Sequence, residues 1–289
     1  MIGVMLLLAT SVPGAAEVIM SDTFAKSPDR TWIGRDWWAN RLQDWAIEDG
    51  RLICVEARPA RSVRTAHWIT RYLADGRTGL RLSVDIEPAD AGKRAGAKAF
   101  AGFLIGAGGD HVDHRLTAQV HHQPAEDGGL LAVMDGDGIV SIRQFDVTGE
   151  VPGSWSIARK VELEAMPMLE PQQRDGSGFG EGPAPKVRLV AFLKDGRLVV
   201  TATDAETDRV YSRAEVDNLP ERYLDGGIAL VSHRGPTDRG RGFAFENLST
   251  VGDGIRHSFD RELGPVISAM YTIDDGVLKM TAQLPPLGP

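Results

Sequence analysis

Ten Asp-Gly dipeptides punctuate this chain of 289 residues, and no other feature constrains its fold as strongly. Asp-Gly supplies the positive backbone φ angles that two-residue hairpin turns require. Three of the dipeptides stand in similar phrases, which are EDGRLIC from Glu48, KDGRLVV from Lys194 and DDGVLKM from Asp274. We interpret the three phrases as one hairpin turn used repeatedly, explained by turn chemistry without duplication. The chain is therefore predicted to consist largely of short antiparallel strands.

The segments between the turns carry the alternating pattern of strands. The clearest is Leu80 to Glu87, in which the apolar side chains all face one way. Helix should be scarce, with a turn or two between Ala214 and Tyr223 that Pro220 interrupts. Short strands with Gly-rich turns favour an all-β, antiparallel β-sandwich or barrel. Further strands are predicted at Trp45 to Cys54, Phe100 to Ile105, Leu116 to His121, Leu130 to Met134, Val140 to Phe145, Val161 to Ala165, Val187 to Leu193, Leu198 to Ala202, Ile228 to Ser232 and Phe243 to Leu248.

Three regions follow from the distribution of apolar and turn residues. Residues 1–16 resemble a short signal peptide, with an apolar stretch that ends in a Pro-Gly break and small residues at Ala15 and Ala16. Residues 17–252 form the predicted sandwich, with a long exposed loop at 166–186. Residues 253–289 form a hairpin around Asp275 and a linker-like tail that leads toward a missing downstream domain. We therefore expect an exported protein, secreted or periplasmic, that does not span a membrane.

Composition excludes some classes of function. Apolar residues make up 42% of the chain and charged residues 25%, which is typical of a globular protein with a substantial core. A net charge of -8 with scattered basic residues argues against a nucleic-acid partner. The lone cysteine, Cys54, precludes an intrachain disulfide and is interpreted as a buried structural thiol. Phosphate-binding loops, dinucleotide fingerprints and nucleophile elbows are absent from the sequence, so no cofactor is predicted.

A cluster of histidines and acids is the first candidate site. It comprises Asp110, His111, Asp113 and His114, and His121 and His122 follow it. A metal needs such side chains to converge. His111 and His114 sit in a turn, however, and a strand would send His121 and His122 to opposite faces. We therefore favour a polar loop beside a strand end and predict no metal, with these residues as weak candidates for one.

Paired carboxylates are the second candidate, because glycosidases use one as acid and the other as base or nucleophile. Glu162 with Glu164, and Asp85 with Glu87, alternate onto one face of a predicted strand. A solvent-facing strand produces this spacing by chance, so we predict no catalytic residue. A glycoside-acting enzyme stays as an alternative, and it predicts carboxylates that converge on a concave face.

Tryptophans are the third candidate. Trp32, Trp37, Trp38 and Trp45 fall close together, and Trp68 follows further on. Most tryptophans in a sandwich fill the core, yet flat rings also stack on sugar faces. Trp37 and Trp38 are adjacent and cannot both point inward from a regular strand. The ligand-binding hypothesis therefore combines ring stacking with neighbouring polar side chains, and its residues are Trp37, Trp38, Arg35, Asp36 and Asn40.

Four segments carry a resemblance to a known family. They are SDTFAKSPDRTWIGRDWWANRLQDWAIEDGRLICVEA, GFLIGAG, HHQPAEDGGLLAVMDGDG and GPVISAMYTIDDGVLKMTAQLPPLGP. Together they resemble the N-terminal region of secreted alkaline phosphatase D-like (PhoD-like) phosphatases over nearly the whole mature chain. The resemblance implies a concanavalin A-like or laminin-G-like jelly roll that precedes a metallophosphoesterase domain. The G-N-H-[DE] and D-x-H metal motifs of that domain are absent here, so no catalytic residue carries over.

The leading functional prediction is a secreted, non-catalytic accessory module that binds a glycan or packs against a downstream phosphatase domain. Two alternatives stay open. One is a stand-alone glycoside-acting hydrolase of concanavalin-like fold, and the other is a secreted interaction or structural protein without a small ligand. An exposed aromatic platform in a groove would favour the binding module over the interaction protein.

Overall fold

A computed structural model of the chain describes residues 21–22, 24–57, 63–90, 92–120, 126–145, 166–235 and 239–285. The predicted signal peptide, the predicted strand at 161–165, and Glu162, Glu164, His121 and His122 lie outside these ranges. None of the helices in the described ranges combines the length and apolar character that crossing a bilayer requires.

Strands dominate the described residues, which confirms the predicted all-β class. One α-helix, α1 (His114–Val120), and short 3-10 turns at Phe24–Lys26, Leu42–Asp44, Glu221–Tyr223 and Phe259–Arg261 accompany them. The strands are β1 (Ser21–Asp22), β2 (Trp37–Ala39), β3 (Trp45–Glu48), β4 (Arg51–Cys54), β5 (Val63–Leu73), β6 (Leu80–Pro88), β7 (Phe100–Ala107), β8 (Leu130–Asp135), β9 (Val140–Gln144), β10 (Gln173–Gly176), β11 (Val187–Lys194), β12 (Arg197–Asp204), β13 (Val210–Val216), β14 (Gly226–His233), β15 (Phe243–Val251), β16 (Ile255–His257), β17 (Ser268–Asp274) and β18 (Val277–Gln283).

Two antiparallel sheets form the sandwich. The nine-stranded sheet has the order β10-β13-β12-β11-β6-β15-β4-β3, with β1 paired to β15. The seven-stranded sheet has the order β16-β5-β14-β7-β8-β9, with β2 paired to β5. Neighbours in both sheets are mostly distant in sequence, as in a jelly roll. The antiparallel β-sandwich predicted from the sequence is confirmed.

The main core lies between the inner faces of the two sheets. Strand β6 illustrates the pattern, because Leu80, Leu82, Val84 and Ile86 are buried on the inner face while Arg81, on the other face, is exposed. The seven-stranded sheet is also buried on its second face, where Phe100, Leu104, Val133 and Phe145 belong to a separate apolar cluster. The seven-stranded sheet therefore carries apolar clusters on both of its faces.

The repeated Asp-Gly phrases form the same turn three times, as predicted. Asp49 and Gly50 have φ angles of 50° and 71°, Asp195 and Gly196 have 50° and 75°, and Asp275 has 47°. Two consecutive positive φ angles define the type I′ hairpin, which matches the twist of the flanking strands. The dipeptides therefore connect β3 to β4, β11 to β12, and β17 to β18.

Two local predictions are wrong. Leu116 to His121 was predicted as a strand, yet helix α1 covers His114–Val120. Asp113 caps this helix, since its carboxylate accepts the backbone N–H of Arg115 at 2.9 Å. The predicted helical segment from Ala214 is strand β13 up to Val216, and only Glu221–Tyr223, directly after Pro220, forms a short 3-10 turn.

The segment predicted as an exposed loop at 166–186 is partly ordered against the sandwich. Met166 and Leu169 are buried there, and Gln173–Gly176 adds strand β10 to the edge of the nine-stranded sheet. At the other end of the predicted sandwich, Ile255–His257 pairs with β5, so the sheet extends beyond residue 252.

Candidate functional site

A cavity of about 390 Å³ lies between β5, β14 and helix α1. The end of β7 and the turn that precedes α1 complete the walls. The lining residues include His67, Trp68, Ile69, Arg71, Tyr72, Ala107, Gly109, Asp110, His114, Thr117, Asp225, Gly226, Gly227 and Arg261.

The cavity exists because strand pairing is interrupted on both sides of β14. Towards β5, the partner of Gly227 is Tyr72 and the partner of Ala229 is His67, so β5 advances five residues while β14 advances two. Towards β7, pairing also shifts between Gly227 and Ile228. Bulges of this kind redirect side chains and are frequent next to functional sites. The two shifts lie at the same level of the sheet and open it there.

Two glycines of β14, Gly226 and Gly227, form the floor at this level, and Gly106 of β7 lies directly against Gly226. Gly106 and Gly226 have φ angles of 72° and 116°. A Cβ atom at Gly226 would lie 2.7 Å from the carbonyl carbon of Gly106, which is closer than atoms can approach. The two backbones can therefore meet only because both residues lack side chains.

Aromatic rings and guanidinium groups share the walls of the cavity. The Arg261 guanidinium lies over the Tyr72 ring, 4.3 Å from its centroid, and the Arg71 guanidinium lies 5.7 Å from the Trp68 centroid. A cation stacked on a ring is held in a fixed plane while its N–H donors stay available at the edge. These pairs present both flat apolar surface and hydrogen-bond donors.

Acidic and neutral polar groups face the same space. Burial, with a smaller contribution from the Asp110 charge, raises the pKa of Asp225 above its ordinary value. Burial, followed by the nearby Arg261 charge, lowers the pKa of His114, which favours the neutral ring. The Thr117 hydroxyl is buried and has no hydrogen-bond partner among the described residues. The cavity therefore offers a hydroxyl, a neutral imidazole and two carboxyl groups to a polar ligand.

A second cavity of about 290 Å³ adjoins the first. Ile69, His114 and Arg261 line both cavities, and Trp38 and Glu262 belong to the second alone. The two spaces therefore form one extended site, with Arg261 at the junction and the Trp38 ring in the outer part.

The structure separates the two adjacent tryptophans. Trp37 is 1% exposed and stacks on Trp68, with ring centroids 5.4 Å apart and planes 12° apart. Trp38 faces the other side of β2, is half-buried and lines the second cavity. Trp37 is therefore a core residue, and the stacking hypothesis applies to Trp38.

The polar residues predicted beside the tryptophans mainly hold the chain in place. Arg35 is exposed and pairs with Glu262 at 3.1 Å. The Asp36 carboxylate accepts the Thr70 hydroxyl at 2.7 Å. The Asn40 side chain exchanges hydrogen bonds with the backbone of β5, at 3.3 and 3.4 Å. Asp36 and Asn40 thus fix β2 against β5, and Arg35 fixes the segment that carries Glu262.

The weak metal candidates do not converge. His111 lies between Asp110 and Asp127, with a contact of 3.1 Å on each ring nitrogen, and these hydrogen bonds raise its pKa. Asp113 is engaged at the start of helix α1, while His114 faces the cavity. In the part of the chain that the structure describes, no three His, Cys, Asp or Glu side chains are grouped to hold a metal ion.

The carboxylate pair on β6 is engaged in ion pairs. Asp85 accepts two hydrogen bonds from Arg188, at 2.8 and 3.1 Å, and one from Asn247 at 2.9 Å. Glu87 accepts one from Arg51 at 2.7 Å. These contacts occupy the oxygens that acid–base chemistry would need. Both carboxylates stabilise the outer face of the nine-stranded sheet.

Cys54 is buried, as expected of a structural thiol. Burial is the main reason that its pKa rises to about 11. The thiol therefore stays protonated and unreactive at neutral pH.

Comparison with known proteins gave matches among solved structures alone. No protein-family model matches the sequence, and no curated protein matches it. The VIP36 exoplasmic/lumenal domain in its Ca²⁺/Man3GlcNAc-bound form is 10% identical, with 78% of this chain and 86% of that chain covered and a TM-score of 0.44. Arcelin-5, a lectin-like defence protein from Phaseolus vulgaris, is 8% identical, with 80% and 98% covered and a TM-score of 0.46. Lectin II from Ulex europaeus is 10% identical, with 74% and 91% covered and a TM-score of 0.43.

Proposed function

We propose that this chain is a carbohydrate-binding module without catalytic activity, and that it binds its glycan in the extended site between β5, β14 and α1. The observation that carries the proposal is the cavity at the paired strand bulges, about 390 Å³ in volume, in which rings, guanidinium groups and carboxyl groups meet. Sugars present flat apolar faces and rims of hydroxyl groups. A site that recognises them needs ring surface and charged hydrogen-bonding groups together.

Each wall has a role in this proposal. Trp38, half-buried in the outer cavity, offers a ring face for stacking. Arg261 lines both cavities and donates hydrogen bonds to sugar hydroxyls while the Tyr72 ring holds its plane. Asp110 and Asp225 accept hydrogen bonds from hydroxyl groups, and the buried Thr117 hydroxyl gains the partner that it otherwise lacks. The glycine floor leaves room for a ring to enter.

The proposal is tested with a microarray of neutral and acidic oligosaccharides, followed by titration calorimetry with the glycans that bind. We expect Arg261→Ala to weaken binding by about tenfold or more, as truncation of a central arginine does at other sites. Arg256→Ala is the matched control. Arg256 is exposed on β16 and donates to the backbone carbonyls of Asp253 and Ile255.

Two outcomes would contradict the binding site. One is a wild-type protein that binds none of the arrayed glycans. The other is equal loss of affinity in the Arg261 and Arg256 variants, which would place the ligand elsewhere.

A glycoside-acting enzyme is the second candidate, and one observation favours it. The cavity brings together two carboxyl groups, Asp110 and Asp225, of which one is buried enough for its pKa to rise. A general acid with a raised pKa beside a second carboxylate is the pairing that glycosidases use. Asp225 would act as the acid and Asp110 as base or nucleophile.

Release of reducing ends from the glycans that bind distinguishes the two candidates. Hydrolysis predicts new reducing ends with the wild type and none with Asp225→Asn, while that variant still binds. If no bound glycan releases reducing ends, the hydrolase is rejected and the binding module is the candidate that remains.

Export and partnership with a PhoD-like phosphatase domain are also part of the proposal. Export is supported by the apolar N-terminal stretch, and the partnership by the resemblance of the four segments named above. The test is to read the gene beyond the Pro289 codon in all three frames for metallophosphoesterase motifs. Their presence would support the partnership, and unrelated sequence after a stop codon would count against it.

A further inference from the structure

The C-terminal hairpin, β17 with β18, is amphipathic and forms a two-stranded sheet of its own, separate from both sheets of the sandwich. All fourteen residues of its two strands are exposed. Antiparallel pairing places Ala269 opposite Ala282, Tyr271 opposite Met280, and Ile273 opposite Leu278, so these six side chains share one face. That face carries no charged or polar side chain except the tyrosine hydroxyl. The opposite face is mostly polar, with Ser268, Thr272, Asp274, Lys279, Thr281 and Gln283.

Such a face is unusual on a protein surface. Tyr271, Ile273, Leu278 and Met280 are 69%, 68%, 57% and 62% exposed. An isolated two-stranded hairpin is marginally stable in water, and it needs at least a second layer against its apolar side. Large contiguous apolar patches on soluble proteins commonly mark association surfaces.

We propose that this face binds the same face of a second copy of the chain, in a symmetric dimer with the two hairpins stacked tip to base. The side chains on this face increase in size from the base of the hairpin to its tip, and this supports a second copy of the chain as the partner. The base of the hairpin carries two alanines, and the tip carries isoleucine and leucine, with tyrosine and methionine between them. A two-fold axis through the Tyr271–Met280 pair places the large tip of one hairpin over the small base of the other. The same patch is then used on both copies and fills its own gaps.

Charge and area agree with a reversible dimer. The charges of the hairpin lie on the polar face or at the turn, so stacking buries none of them. A large apolar side chain offers roughly 60–120 Å² for burial at about 25 cal/mol per Å². With Leu284, which follows β18 in the same alternation and is 49% exposed, the face offers roughly 400 Å² per copy. The total of about 800 Å² is below the ~1,000 Å² of stable interfaces, which predicts a weak and reversible dimer.

Sedimentation velocity over a concentration series from about 1 to 500 μM tests the dimer, because a weak, reversible dimer dissociates on dilution within such a range. The mass of the wild type should rise from 31.3 kDa toward twice that value. Ile273→Asp should raise the dissociation constant at least about 100-fold, since the symmetry buries an unpaired charge twice. Thr272→Asp is the matched control, because it adds the same charge on the polar face next to Lys279 and should change the constant less than about threefold.

Cross-linking tests the arrangement itself, and it uses the fact that the one native cysteine, Cys54, is buried. With a short bismaleimide, Tyr271→Cys should link to itself, since that position lies at the axis. Ile273→Cys should link poorly to itself but readily to Ala269→Cys when the two variants are mixed. A wild type that stays monomeric at every concentration, a dimer that Ile273→Asp does not weaken, or efficient self-linking of Ile273→Cys would each overturn the proposal.

Discussion

Replacing each of the two adjacent tryptophans by alanine separates a folding role from a binding role. Trp37 is 1% exposed, and its ring stacks on the Trp68 ring, with centroids 5.4 Å apart. The Phe24 ring lies on another side, with its centroid 5.8 Å away. Removal of a buried tryptophan leaves a cavity, and the loss in unfolding free energy is about 3–5 kcal/mol. At about 2–4 °C per kcal/mol for a domain of this size, the melting temperature falls by about 6–20 °C. Trp38 is half-buried, so Trp38→Ala should lower the unfolding free energy by only about 1–2 kcal/mol.

The assay is urea unfolding followed by far-UV circular dichroism, because tryptophan fluorescence itself changes in these variants. Glycan affinity is then measured at a temperature where both variants are folded. We expect Trp38→Ala to lose affinity and Trp37→Ala to keep it, while Trp37→Phe recovers part of the stability by restoring a ring against Trp68. Equal unfolding free energies for wild type and Trp37→Ala would refute the assignment of Trp37 to the core.

Three further predictions concern stability. Gly196→Ala should lower the unfolding free energy by about 1–2 kcal/mol in urea melts, because the residue has a φ of 75° while the space around it is open. Arg64→Met should lower the unfolding free energy by about 3–5 kcal/mol in calorimetric melts, since it breaks a buried ion pair with Asp44 at 2.5 Å. Adding Asp44→Asn to the same chain should restore part of the loss, because it removes the unpaired charge. Because the pKa of Asp225 is raised, the folded state binds that proton more tightly than the unfolded state, so stability falls as pH rises above about 3.8. Asp225→Asn should flatten this dependence in urea midpoints measured from pH 4 to 7, and an unchanged slope would contradict the assignment.

Short-range turn chemistry made much of the fold predictable. Asp-Gly determines backbone angles within two residues, so the hairpins at Asp49, Asp195 and Asp275 could be placed without knowledge of the rest of the chain. Strands with one polar face, such as β6, were predictable for the same reason, because alternation is local. The cap of helix α1 was also readable in principle. Asp113 precedes the helix directly, but the alternation that follows it favoured a strand.

The site could not be predicted, because it depends on a strand whose pattern gives no signal. Strand β5 is the longest of the described strands, and its polar residues Arg64, Thr65, His67, Thr70 and Arg71 are buried, so both faces look polar in sequence. Its register against β14 is set by tertiary pairing, and so is the bulge that opens the cavity. The tryptophan cluster did indicate the neighbourhood, but only contact with β5 decides which ring points inward.

The strand at the edge of the nine-stranded sheet also protects the protein against pairing with the strands of other chains. Strand β10 has four residues, all exposed, and it covers the longer strand β13, whose seven residues would otherwise present unpaired backbone groups to solvent. Gly176 permits this close approach, since a Cβ there would lie 2.3 Å from the carbonyl oxygen of Tyr211. A short polar strand offers little template for another chain. Loss of β10 would therefore uncover a β-edge able to recruit further copies strand by strand, and the same sandwich would become prone to ordered aggregation.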